Sequence, residues 1–352
     1  MAIDNEVRMQ SSSQLFPVQL VSAEVIGSFV EDIYLLKPNN SLDRSVELAV
    51  TRLTKNKKSG PCSSEHGEPI ILLHGAFSNR RHWLSAEGEG VAAFLVEAGF
   101  DVWLPEMRGH GLSPINDDFA NNSLDKVIEY DLPAIHKFVV EQTGKKITYI
   151  AEEMGGFSIL ASLALGSISQ QSVARCVYIE EEKPLSLRLN TKIFAKNALW
   201  RSRKSGIVNG RRLNVGAENE TYSIVKQYLC WQNRLTFNAP SGLQLEGAYS
   251  DISVPFMVVG ATSADTIAPA KNAKWIFNQL TSATKKFDVY DYSESHTSRR
   301  YPDGGITLFP LKEGYWHDIV LWLDSSYSKI EPDAACRHLQ SQKKDEQVLV
   351  AQ

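Results

Sequence analysis

Glu153 stands in Ile147-Thr-Tyr-Ile-Ala-Glu-Glu-Met-Gly-Gly, at the point where an apolar run gives way to a stretch of helical character. A carboxylate there faces the free N–H groups and positive dipole end of a helix, so Glu153 is expected to be ionised at neutral pH. Such a group can attack an electrophilic carbon, or it can fill an anion site without reacting. Glu152, Glu153, Glu180, Glu181 and Glu182 lie near two candidate strand ends, where gathered carboxylates could hold a divalent cation. No third ligand-bearing element accompanies them, and solvated carboxylates are the simpler reading, so no metal and no cofactor are expected. Arg201, Arg203, Lys204, Arg211 and Arg212 form a basic cluster that reads as a solvated face, or else as a contact for an anion or an acyl carrier. Cys62, Cys176, Cys230 and Cys336 lie far apart with no CxxC pair, which fits neither a disulfide framework nor a zinc site and suggests a reducing cytoplasm.

The elements that must position these groups alternate. Extended segments Ala23 to Leu36 and Ser45 to Leu53, separated by Lys37-Pro-Asn-Asn, predict an antiparallel N-terminal hairpin. Ile70-Ile-Leu-Leu is a short unbroken apolar run of the kind buried on both faces of a sheet. Further strands are expected at Phe100 to Leu104, Ile147 to Ala151, Ala174 to Ile179, Pro255 to Gly260 and Lys286 to Tyr290. Helices are expected near Gly90 to Ala98, Leu124 to Thr143, Gly156 to Leu165, Ala270 to Leu280 and Tyr315 to Leu323. Alternation of this kind needs crossover connections, hence an α/β fold with a mostly parallel sheet flanked by helices. Residues 182–252 are too long for a plain loop and predict an inserted helical cap, leaving 1–181 and 253–330 as the core and 331–352 as a polar tail.

Bulk properties narrow the classes. The 352 residues, 43% hydrophobic and 22% charged, suit a globular core with an insertion. A net charge of −4 argues against a dedicated nucleic-acid or acidic-membrane binder. Asp4 and Glu6 stand where a signal peptide needs positive charge, and the apolar runs are far shorter than the roughly 20 residues of a transmembrane span, so a cytoplasmic location is expected.

His74-Gly75-Ala76-Phe77 after the first apolar strand and Arg108-Gly-His-Gly-Leu-Ser after the next together resemble the α/β-hydrolase superfamily. The resemblance implies an oxyanion hole formed by the backbone N–H groups of Ala76 and Met154, with His74 a turn residue and His110 a structural hydrogen-bonding residue. It also implies a G-x-S-x-G elbow, and here Ala151 and Gly155 flank an apex occupied by Glu153, with no Ser, Cys or Asp. The apex of such an elbow has positive φ, which is costly for a non-glycine residue. Ala261-Thr-Ser-Ala-Asp265 resembles the family's acid turn and nominates Asp265. His296 is the favoured base and His317 the alternative, the first because Asp291-Tyr-Ser-Glu-Ser-His with its following Trp-containing helix loosely resembles polyhydroxyalkanoate synthases and lipase-like hydrolases.

Two functions follow from the resemblance. One is a degenerate hydrolase that binds a small apolar or acyl-type ligand, or a protein partner, with Glu153 reaching into the oxyanion hole. The other is an active hydrolase of ester, epoxide or similar bonds in which Glu153 attacks, His296 is the base and Asp265 orients it. Ser158, five residues past the apex, is expected to face packing inside the helix rather than replace the nucleophile. In the cap, Leu199-Trp200, Tyr228 and Trp231 read either as a pocket lining or as core.

Overall fold

The computed structural model describes residues 11–38, 41–56, 67–180, 193–232, 245, 248–262, 268–291, 297–300, 306–309 and 315–323. Two compact units divide the chain, residues 1–310 and 311–352.

In the first unit a nine-stranded sheet is formed by β1 (Val18–Ile26), β2 (Phe29–Leu36), β3 (Leu48–Lys55), β4 (Pro69–Leu73), β5 (Asp101–Pro105), β6 (Ile147–Glu152), β7 (Val173–Ile179), β10 (Phe256–Thr262) and β11 (Lys285–Asp291), in the order β1-β2-β3-β5-β4-β6-β7-β10-β11. Two small ribbons stand apart from it, β8 (Ile207–Asn209) with β9 (Asn219–Thr221), and β12 (Thr297–Arg300) with β13 (Ile306–Phe309). From β5 through β11 neighbouring strands are parallel, whereas β1, β2 and β3 run antiparallel and β3 joins β5 antiparallel. The expected hairpin is present as β2 with β3, and β1 extends it into a three-stranded meander. Its first turn falls inside the Val- and Ile-rich segment that reads as one strand, because Gly27, at φ +55, reverses the chain there. Every residue of β4, β5 and β6 is buried, as unbroken apolar runs in a two-faced sheet require.

The longer helices are α1 (Val91–Glu97), α2 (Leu132–Thr143), α3 (Glu153–Ala164), α4 (Ile193–Ser205), α5 (Tyr222–Gln232), α6 (Ala268–Gln279) and, in the second unit, α7 (Tyr315–Leu323). The helix expected over 124–143 is interrupted by a π turn at Val127–Asp131. Leu132 N–H bonds to the Val127 carbonyl, so the next donor in that pattern belongs to Pro133, which has none. The Ile128 carbonyl left over accepts instead from Ser162 Oγ at 3.3 Å and Ser167 Oγ at 2.9 Å.

The inserted segment is not wholly helical: between α4 and α5 it carries the antiparallel ribbon β8·β9. It packs on the loops that follow β4 and β5. Cβ atoms placed on Gly210 and Gly216 would lie 2.9 Å and 2.5 Å from Phe77 side-chain atoms, and Glu218 N–H bonds to the Phe77 carbonyl at 3.0 Å. Tyr228 and Trp231 of α5 are buried against Phe157 of α3, with Trp231 and Phe157 ring centroids 4.4 Å apart. Trp231 Nε1 donates to Tyr249 Oη at 3.1 Å, so these aromatics take the core reading rather than the pocket reading.

Candidate functional site

The site begins where β6 turns into α3. Glu152 is extended, at φ −109 and ψ 140, and Glu153 follows at φ +49. The left-handed region costs a bulky non-glycine residue on the order of 1 kcal/mol and persists where the surroundings enforce it. Here they are crowded. A Cβ on Gly155 would come within 2.6 Å of the His74 carbonyl, and one on Gly156 within 2.1 Å of the Tyr178 ring. Two bare residues therefore let α3 press its first turn against the ends of β4 and β7, and the turn at Glu153 is the result. α3 starts at Glu153 itself, three residues before the helix start read from the sequence.

Glu153 is fully buried, and its Oε2 accepts a hydrogen bond from the Ala76 N–H at 3.2 Å. Gly75 makes room for it, since a Cβ there would stand 2.8 Å from the same oxygen. Met154 is buried directly behind the apex. Glu153 and Ala76 are thus brought together, with Met154 next to Glu153 in the chain. Asp265 and His296 lie outside the described residues, and His317 lies on α7 in the second unit. Ser158 is buried and its Oγ donates to the Met154 carbonyl at 2.8 Å, turned back into its own helix.

The loop that carries Ala76 is held from below by two imidazoles in opposite states. His74 Nε2 accepts from the Met107 N–H at 3.2 Å and Nδ1 lies 2.9 Å from the Gly75 carbonyl, a pattern satisfied by the neutral Nδ1–H ring. Burial, with the neighbouring His110 adding repulsion, pushes its pKa down to about 3. His110 stacks on it at 5.6 Å, with Nδ1 3.0 Å from the Ser78 carbonyl and Nε2 3.4 Å from Glu220 Oε1. Burial opposes its charge, but the Glu220 carboxylate outweighs burial and raises the pKa to about 9. Glu220 comes from β9 of the insertion and also accepts from the Phe77 N–H at 3.4 Å. Phe77, at φ +59, and Glu153 are two of the three non-glycine residues with positive φ among those described, and both flank Ala76.

Further buried carboxylates tie the strand-end loops together. Glu106 accepts from Arg80 N–H at 3.2 Å and Leu112 N–H at 2.9 Å, with burial raising its pKa and the Arg80 charge partly offsetting the rise. Arg108 forms a two-pronged pair with Asp131, one arm at 2.7 Å, which anchors the β5 loop to the π turn. Glu152 pairs with His82, and Glu180 with the Tyr178 hydroxyl. The three described carboxylates of the acidic group therefore have separate partners, and among the described residues no three His, Cys, Asp or Glu side chains are grouped to hold a metal. Glu181 and Glu182 lie outside the described residues. Glu218 and Glu220 are the part of the site that sequence reasoning missed. The only signal for them is an acidic pair, Glu218-Asn-Glu220, in an otherwise basic segment.

Comparison with known proteins agrees with this fold. Residues 70–305 match the alpha/beta hydrolase family. Human Lipase member M is 30% identical over 179 residues, which cover 46% of this chain and 39% of that protein. A tear acid lipase-like protein of Mesocricetus auratus is 38% identical over 109 residues, 28% of this chain and 26% of that protein, and human gastric triacylglycerol lipase is 32% identical over 118 residues, 31% and 29%. The matched stretch thus spans well under half the length of these relatives. The crystal structure of a hypothetical protein from Pseudomonas aeruginosa shares the fold at a TM-score of 0.55 and 13% identity, covering 87% of this chain and 98% of that one. Among the described residues no helix is long and apolar enough to cross a membrane.

Proposed function

The chain belongs to the alpha/beta hydrolase family, and from that premise we propose that it is a degenerate hydrolase, binding a small apolar or acyl-type ligand or a protein partner without turnover. One observation carries the reading: the Ala76 N–H, the donor that should meet a developing oxyanion, already bonds to the buried Glu153 carboxylate at 3.2 Å. A carboxylate cannot lose a proton to become an alkoxide, so acyl transfer through a serine-type apex is closed. Its oxygen, held by a backbone donor at a helix N-terminus, takes the place where the hole would otherwise meet developing charge. Lipase-like relatives support an apolar or acyl-type ligand class. Free thiols at Cys176 and Cys230 support a reducing, cytoplasmic setting, and a disulfide at either in protein isolated without reductant would argue against it.

The second reading makes Glu153 a nucleophile, with His296 as base and Asp265 as orienting acid. It is favoured by the apex position and positive φ of Glu153, and it requires the carboxylate to leave the Ala76 N–H before attack. Fluorophosphonate labelling and nitrophenyl-ester and epoxide hydrolysis by wild type, Glu153→Ser and Glu153→Gln separate the two. The proposal expects wild type to be unlabelled and inactive. Hydrolysis by wild type that disappears in Glu153→Gln overturns it in favour of the nucleophile, and labelling of wild type overturns it in favour of a different hydroxyl or thiol.

A further inference from the structure

Charge in the inserted segment is sorted by direction. Residues 193–232 carry seven Lys and Arg against two carboxylates, in a chain whose net charge is −4. Both carboxylates are turned toward the loops after β4 and β5: the buried Glu220 meets His110, and the half-buried Glu218 accepts from the Gly111 N–H at 3.2 Å. Arg201, Arg203, Lys204, Arg211 and Arg212 are exposed, and so is Trp200, at 68%. At 100° per residue, Arg203, Trp200, Lys204 and Arg201 cover an arc of roughly 160° on α4, while Leu199 packs toward the core. The chain average hides this segregation, which is why net charge alone argues against an anionic partner.

We propose that this outer face of the insertion docks the protein on an anionic lipid surface. Cations attract the headgroups, and their aliphatic stems lie along the interface with the charge kept in water. An indole suits the same boundary, apolar in body with one polar N–H, and a large exposed tryptophan beside cations is what distinguishes this face from a merely solvated one. An acidic protein would be met by the cations but gives no equal reason for Trp200, and a single-stranded nucleic acid, whose bases could stack on it, calls for a groove with successive aromatics, where this helix face offers one tryptophan.

The test is cosedimentation of the full chain with phosphatidylcholine vesicles and with phosphatidylcholine vesicles containing phosphatidylserine, at low and high salt. The expected result is binding to the phosphatidylserine vesicles alone, weakened by salt. Arg203→Gln should lower it about fivefold and Trp200→Ala about tenfold. Both positions are exposed, and an unchanged circular dichroism spectrum shows that each variant is folded. Equal sedimentation with both vesicles, none with either, or binding indifferent to Trp200→Ala overturns the proposal. Retention on single-stranded DNA without vesicle binding overturns it in favour of a nucleic acid.

Discussion

The Ala76 N–H and the Glu153 carboxylate oxygen face each other across 3.2 Å, joining the loop after β4 to the first residue of α3. Both residues are buried, at 4% and 0% exposure, so the bond is made away from competing water.

Gly75 is the residue that permits this approach. In Gly75→Ala the new methyl would sit 2.8 Å from Glu153 Oε2 and 3.3 Å from its Cβ, and overpacking of this kind costs about 1–3 kcal/mol. Urea unfolding should record that loss. Gly75→Ala combined with Glu153→Gly should recover most of it, because the second change removes both crowded atoms and relieves the positive φ. Simple additivity of the two single changes would count against direct contact.

Stability should peak near pH 6.5 and fall on both sides. His74, held at about 3 by burial with help from His110, and His136, held at about 4 by burial with help from Lys137, stay neutral in the fold. The unfolded chain protonates first as pH drops below 6.5, so stability is lost toward 4 and 3. His110 has the opposite sign: its folded pKa of about 9 contributes stability that is complete below 6.5 and gone once pH has risen through 9. Thermal unfolding followed against pH should show His110→Gln flattening the alkaline limb and sparing the acid one. An alkaline limb equally steep in the variant would assign that loss to other groups.

Gly216→Ala should loosen the insertion. Its Cβ would come within 2.3 Å of the Phe77 carbonyl oxygen, a backbone atom whose own residue is already at φ +59. The expected outcome is faster proteolytic cleavage within 193–232 and a stability loss of about 1–3 kcal/mol. Unaltered cleavage would mean that the segment is held elsewhere, for instance through Thr221 Oγ1 and the Asn122 carbonyl at 2.6 Å.

Much of the sheet was legible because burial on both faces demands unbroken apolar runs, and Ile70-Ile-Leu-Leu and Ile147-Thr-Tyr-Ile-Ala announce themselves. The turn at Gly27 was not, since a reversal inside a Val- and Ile-rich segment leaves hydrophobic patterning intact. Nor was the π turn before Pro133, whose lost donor is compensated by serines some thirty residues on. The same limit hid Glu220, because its pairing with His110 joins an insertion to a core loop with no local pattern to mark it.

Residue order alone determined that a carboxylate, and no hydroxyl or thiol, stands at the strand-to-helix apex, with small residues two places to either side. Only the tertiary structure decided where that carboxylate goes. Its direction follows from φ +49 and from how closely α3 presses on β4, and its partner is an amide 77 residues earlier in the chain. A side chain's heading is set by backbone strain and by neighbours remote in sequence, and neither is encoded in local composition or period.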